Sequence, residues 1–174
     1  PIFCIDIHPP SAEDDKKYRD LFLTCGADWT AKLWSPSNYD KPLLTFNQAT
    51  DYVYSAKWHP INPSIFVTAD GSGNIDFWDL NRDKEMPTSR YELKAAANKL
   101  AWSNNGKNLA VGDERGHISI FAAEKDVFTV KKDDYTKFDK VLVNIKDNYF
   151  DTNHLEKKYD ESFENIIYDI KENN

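Results

Sequence analysis

Apolar and polar positions along residues 64–80, SIFVTADGSGNIDFWDL, predict two strands joined by a tight turn. Ile65, Phe66 and Val67 form one β-branched and aromatic run, and Ile75, Phe77 and Trp78 form the other. Asp70, Gly71, Ser72, Gly73 and Asn74 lie between them. Gly and Asn reach the positive φ that a hairpin needs, while Asp and Ser hydrogen-bond nearby backbone. The same pattern stands at residues 21–35, LFLTCGADWTAKLWS, with Trp34 in the place of Trp78. It returns at residues 108–122, NLAVGDERGHISIFA, with Phe121 in that place. Each copy follows another matched strand, in which Ile7, Trp58 and Trp102 share one position and His8, His59 and Ser103 the next.

The spacing from Trp34 to Trp78 is 44 residues and from Trp78 to Phe121 it is 43. A period of about 40–45 residues, several short strands per unit and a terminal Trp-Asp are the signature of WD-repeat β-propeller blades. Trp78-Asp79 is the only full Trp-Asp pair among the three copies, and no Gly-His pair opens any of them. The expected fold is therefore all-β. About three blades of four antiparallel strands should span 1–130, with Trp34, Trp78 and Phe121 in equivalent third strands. Residues 1–9 are expected as the inner strand of an incomplete blade, 41–46 and 88–93 as outer strands, and 127–130 as the outer strand of the third blade. Trp34, Trp58, Trp78 and Trp102 are expected in the core. The charged insert 11–20 reads as a solvated loop. Propellers close with four to eight blades, so three leave two open faces. Either earlier blades of a longer protein are missing or another chain covers those faces; the first is the favoured expectation, and the chain starts within a strand at Pro1-Ile2-Phe3-Cys4.

After residue 131 the period changes. Tyr135, Phe138, Leu142 and Ile145 recur at helical spacing, and Asp133 or Asp134 can cap the start. A helix over 135–146 within a segment 131–146 should dock this stripe on the propeller or on a partner. Tyr159, Phe163, Ile166, Ile167 and Ile170 repeat the pattern inside an acidic tail, 147–174, which is expected to become helical only under a partner.

Charge narrows the partner class. The formal net charge is −7. Residues 147–174 hold eight acidic and three basic residues, leaving 1–146 near neutral with no basic stripe. Nucleic acid is thus an unexpected ligand. No run approaches the ~18 apolar residues of a membrane span, so no membrane partner is expected. Cys4 and Cys25 make no disulfide framework and read as small strand residues in a reducing compartment. The four histidines lack metal-ligand spacing, no Cys-x-x-Cys occurs, and there is neither a phosphate loop nor a Gly-x-Ser-x-Gly. No catalytic, metal or cofactor site is expected.

Residues 25–34, CGADWTAKLW, resemble the DWTVKLW signature of dynein intermediate chains. Residues 51–54 with Trp58-His59-Pro60, residues 75–81, 85–88 and 110–118, and Tyr135-Thr-Lys-Phe138 are similar to the cytoplasmic type in the same order. The resemblance covers about residues 1–146. It implies a non-catalytic subunit of a dynein motor in the cytoplasm and on the cytoskeleton. By that likeness the propeller sits on the heavy-chain tail, and a preceding region absent here carries the light chains and contacts the other intermediate chain. An axonemal inner- or outer-arm subunit of a cilium is the alternative within the family. A generic propeller adaptor binding a peptide motif is the alternative from another class. Candidate partner contacts are Trp29, which stands at the turn where the other copies have Gly73 and Gly116, with Tyr52, Tyr54, Phe138, Leu142, Phe163, Ile166, Ile167 and Ile170.

Overall fold

The computed structural model describes residues 1–10, 18–36 and 41–148. The first sheet is β1 (Ile2–Ile7), β2 (Phe22–Gly26), β3 (Ala31–Trp34) and β4 (Leu44–Phe46). The second is β5 (Val53–Trp58), β6 (Ile65–Asp70), β7 (Asn74–Asp79) and β8 (Ser89–Glu92). The third holds β9 (Ala97–Trp102), β10 (Asn108–Asp113) and β11 (Ile118–Ala122). Every strand pair is antiparallel, and strand order within each sheet follows chain order. The period therefore maps one repeat onto one sheet. The first blade is not incomplete, because β1 to β4 give it all four strands.

The third sheet departs from expectation. It has three strands, and the chain after Ala122 forms α1 (Lys125–Phe128) instead of a strand at 127–130. Local hydrogen bonds decide this. Val127 N–H donates to Glu124 O at 3.0 Å and Thr129 N–H to Lys125 O at 3.0 Å, while Val127 O accepts from Asn62 Nδ2 at 3.3 Å. Backbone groups used in this way cannot form a ladder with β11.

Burial follows position in the stack. All six residues of β6 are buried, as a strand covered on both faces requires. Val67, Ile75, Leu100, Leu109 and Val111 form a common core between the second and third sheets. Between the first and second, the Phe46 ring lies 4.8 Å from those of both Phe66 and Trp78. Trp58 and Trp78 are buried as expected, whereas Trp34 and Trp102, in the outer sheets, are only half-buried. The outward faces of those sheets are apolar and bare. Ile5 and Ile7 are 62% and 68% exposed on β1, and Ile118 and Ile120 are 73% and 64% exposed on β11.

A second helix, α2, runs over 132–148 and so extends beyond the expected range at both ends. Its start is fixed by a reciprocal pair: Asp134 N–H donates to Lys131 O at 3.0 Å, and Lys131 N–H donates to the Asp134 carboxylate at 2.9 Å. The chain divides into two compact units, 1–141 and 142–174, and all the sheets belong to the first.

Candidate functional site

The two central hairpin positions that most resemble each other chemically are a Trp and a Thr. In the second sheet Trp78 Nε1–H donates to Thr68 Oγ1 at 3.2 Å, and in the first Trp34 Nε1–H donates to Thr24 Oγ1 at 2.9 Å. Each indole also lies nearly parallel to a Phe of the neighbouring strand, at 1° for Phe66–Trp78 and 8° for Phe22–Trp34. In the third sheet Phe121 and Val111 occupy the two places. Donor and acceptor have been replaced together, so neither of these two positions holds an unpaired polar group.

Beyond this frame the turns diverge. In the second sheet the buried Asp70 carboxylate accepts from Ser72 N–H at 3.0 Å, from Asn74 N–H at 2.8 Å and from Asn74 Nδ2 at 2.9 Å. Gly73 completes that turn at φ +89°. A Cβ there would lie 2.5 Å from Leu93 O, so glycine is required by conformation and by space. Asp113 repeats the cap in the third sheet, accepting from Arg115 and His117 N–H at 2.9 and 2.8 Å. In the first sheet Gly26 replaces the capping Asp, and the turn is closed differently. Asp28 accepts from Thr30 N–H at 3.3 Å and from Thr30 Oγ1 at 2.9 Å, and pairs with Lys32.

Trp29 occupies the glycine position of that turn. Its φ is +64°, a conformation that among the described residues no other non-glycine side chain adopts. A bulky residue in the left-handed region is strained by about 1–3 kcal/mol. Its side chain is 49% exposed, so the strain is not offset by full burial. Ala27 N–H donates to Pro1 O at 3.0 Å, which seats this turn at the start of β1.

The same end of the sheets carries an aromatic group. The Phe3 ring lies 6.0 Å from Tyr52 and 5.3 Å from Tyr54, and the two tyrosines are 6.4 Å apart. Tyr52 is exposed and Tyr54 half-buried, while Val53 between them is buried. Strand alternation produces this split. No local pattern sets Phe3 apart from its neighbours; its partnership with Tyr52 arises from the stacking of β1 on β5.

Phe138 is placed otherwise than as an exposed contact. It is fully buried, 5.1 Å from the Tyr18 ring and 6.0 Å from the His8 ring. Tyr18 belongs to the insert expected to be solvated, yet it is buried and its hydroxyl donates to Asp139 at 2.9 Å. A lone aromatic inside SAEDDKKYRD was the available signal. Tyr135 is buried as well, Leu142 is half-buried and Ile145 is buried. Phe163, Ile166, Ile167 and Ile170 lie outside the described residues.

A groove of about 500 Å³ opens between the second and third sheets, lined among others by Phe77, Tyr91, Trp102, Phe121 and Asn81. Tyr91 reaches across it to Phe121 at 5.4 Å. Among the described residues no group of His, Cys, Asp and Glu could hold a metal ion, and no helix is long and apolar enough to cross a membrane.

Sheets of this topology, repeating with this period, define a stretch of WD-repeat β-propeller. The WD40 domain of Toxoplasma gondii coronin superposes with a TM-score of 0.59 at 21% identity, over 70% of this chain and 30% of that one. A family profile described as the anaphase-promoting complex subunit 4 WD40 domain matches residues 65–137. The likeness to dynein intermediate chains is shown directly: the chain is 35% identical over 153 residues to the cytoplasmic dynein 1 intermediate chain of Drosophila melanogaster. That match covers 87% of this chain and spans 23% of the relative's length. The chain is thus similar to a dynein intermediate chain across a WD-repeat stretch that makes up about a quarter of that relative.

Proposed function

We propose that this chain is the propeller part of a non-catalytic intermediate-chain subunit of a cytoplasmic dynein motor. Its blades dock on the tail of a heavy chain and serve as a scaffold for microtubule-based movement. Further blades cover the bare faces of β1 and β11, and light chains bind elsewhere on the longer protein. The similarity to a cytoplasmic relative supports this setting, in the cytoplasm and on the cytoskeleton, over a ciliary one.

The observation that carries the docking surface is Trp29. A half-exposed indole held at φ +64°, where the matched turns have glycine, costs stability and contributes no full burial. Strain that persists at a surface points to use by a partner. The neighbouring rim of Phe3, Tyr52 and Tyr54 offers the aromatic anchors that dominate protein interfaces. Affinity capture of the tagged subunit from its own cells, followed by mass spectrometry, tests the proposal. The wild type should recover a dynein heavy chain. Trp29→Ala and Tyr52→Ala should lose it at unchanged expression. Recovery without any heavy chain, or with heavy chain undiminished in both variants, would remove the proposal.

A further inference from the structure

The register of β1 against β2 sets Cys4 directly opposite Cys25. These are the only two cysteines in the chain, and both are free. His8 N–H donates to Leu21 O at 2.8 Å, which marks 8/21 as a hydrogen-bonded pair of this ladder. Alternation then makes 6/23 and 4/25 hydrogen-bonded pairs too, with Cα atoms about 5.5 Å apart. Disulfides most often bridge Cα atoms about 5.5–6 Å apart with Cβ atoms about 3.5–4.5 Å apart, so the two sulfurs can join once the strands draw in slightly at this pair. Cys25 is buried on β2, while Cys4 on β1 is half-buried and its thiol donates to Ala56 O of the next sheet at 3.5 Å.

We propose that Cys4 and Cys25 form a redox modification site, in which a hydroperoxide oxidises Cys4 and Cys25 resolves it to an intramolecular disulfide. The two thiols differ as such a reaction requires. Hydrogen bonding from Cys25, with the Lys57 ammonium nearby, brings the Cys4 pKa down to about 6 against the opposing effect of burial. The interaction with Cys4, followed by burial, pushes Cys25 well up. Cys4 is thus the thiolate nucleophile at neutral pH. Its sulfur attacks the terminal oxygen of the hydroperoxide and the O–O bond breaks. The departing alkoxide takes a proton from solvent and leaves as an alcohol, or as water from hydrogen peroxide. Cys4 is left as a sulfenic acid. The Cys25 sulfur then displaces that hydroxyl group, which takes the Cys25 proton and leaves as water. The two thiols are oxidised by two electrons, and the hydroperoxide is reduced by two. The bridge fixes β1 to β2 covalently, so oxidation strengthens the first sheet.

Reduced, purified protein treated with equimolar hydrogen peroxide tests this. Both thiols should disappear together, with a mass loss of two hydrogens. A non-reducing peptide map should show the Cys4 peptide joined to the Cys25 peptide, separable again by a reductant. Cys25→Ser should leave a Cys4 sulfenic acid that dimedone captures. In the reduced wild-type protein limiting iodoacetamide at pH 7 should label Cys4 about tenfold or more faster than Cys25, because a thiol titrating near 6 is mostly thiolate and a buried one is not. A bridge between two molecules, over-oxidation of Cys4 with Cys25 still free, or equal labelling of the two thiols would overturn the proposal. The wild-type map decides the matter even if a variant folds poorly.

Discussion

Replacing Trp29 by glycine should make the protein more stable than replacing it by alanine. Both variants remove the indole and whatever surface its half-exposed ring covers, so that loss cancels in the comparison. What remains is the backbone at φ +64°. For an L residue the left-handed conformation costs about 1–2 kcal/mol, and alanine keeps that cost while glycine does not. Glycine also gains freedom in the unfolded chain, which lowers stability by about 0.4–1 kcal/mol. The difference leaves glycine ahead by about 0.5–1 kcal/mol. For a domain of this size that is a melting temperature higher by about 1–4 °C. Thermal unfolding of Trp29→Gly and Trp29→Ala, purified side by side, reads the number. Heavy-chain capture reads the other half of the argument, since both variants should lose it alike. Equal melting temperatures, or an alanine variant above the glycine one, would show that the turn is not strained and would withdraw the main support for a partner surface there.

Three further outcomes are expected. Thr68→Val should destabilise by about 1–3 kcal/mol by leaving the buried Trp78 Nε1–H unpaired, and adding Trp78→Phe should recover part of that in a denaturation-based double-mutant cycle, because Val111 and Phe121 already form such a pair in the third sheet. Asp70→Ala should cost about 3 kcal/mol in urea unfolding, since several N–H donors converge on its buried carboxylate; the same change at the half-buried Asp113 should cost less. Burial holds His59 below its usual pKa against the bond to Gly106 O, so the neutral form is the native one. Its contribution is then fully present above about pH 6.5, the unfolded value, and is lost as pH falls toward the lower folded value. Denaturation midpoints measured from pH 7.5 to 5 should fall, and His59→Gln should flatten that slope; an unchanged slope would contradict the assignment.

The architecture was legible because its causes are local and repeated. Alternating β-branched and aromatic residues define the strands, and Gly73, Gly116 and Trp29 align at the same turn position, where the backbone is left-handed each time. Aligning Trp29 with the glycines was enough to foresee its exposure. Contacts between distant segments were not legible. Tyr18 meets Asp139 across 121 positions, and nothing in a charged ten-residue stretch announces that its one aromatic is buried. Phe138 could be assigned to a packed face from its spacing, but not to a pocket made by His8 and Tyr18. The run Val127–Val130 has good strand propensity and lost to a competing set of backbone hydrogen bonds with Glu124, Lys125 and Asn62. The cysteine pair became visible only once β1 and β2 were in register.

Strand order that never departs from chain order has a bearing on how the molecule comes into being. Each sheet is assembled from consecutive strands joined by short links, so its ladder contacts span tens of residues at most. The entropy lost in closing such loops is small compared with that of pairing remote strands. During synthesis β1 to β4 can pair before β5 exists, and each later sheet forms against a neighbour already in place. Nascent sheets of this kind expose one apolar face only until the next repeat emerges. Sequence changes that delay one hairpin should therefore affect the yield of folded protein more than the stability of the molecules that succeed.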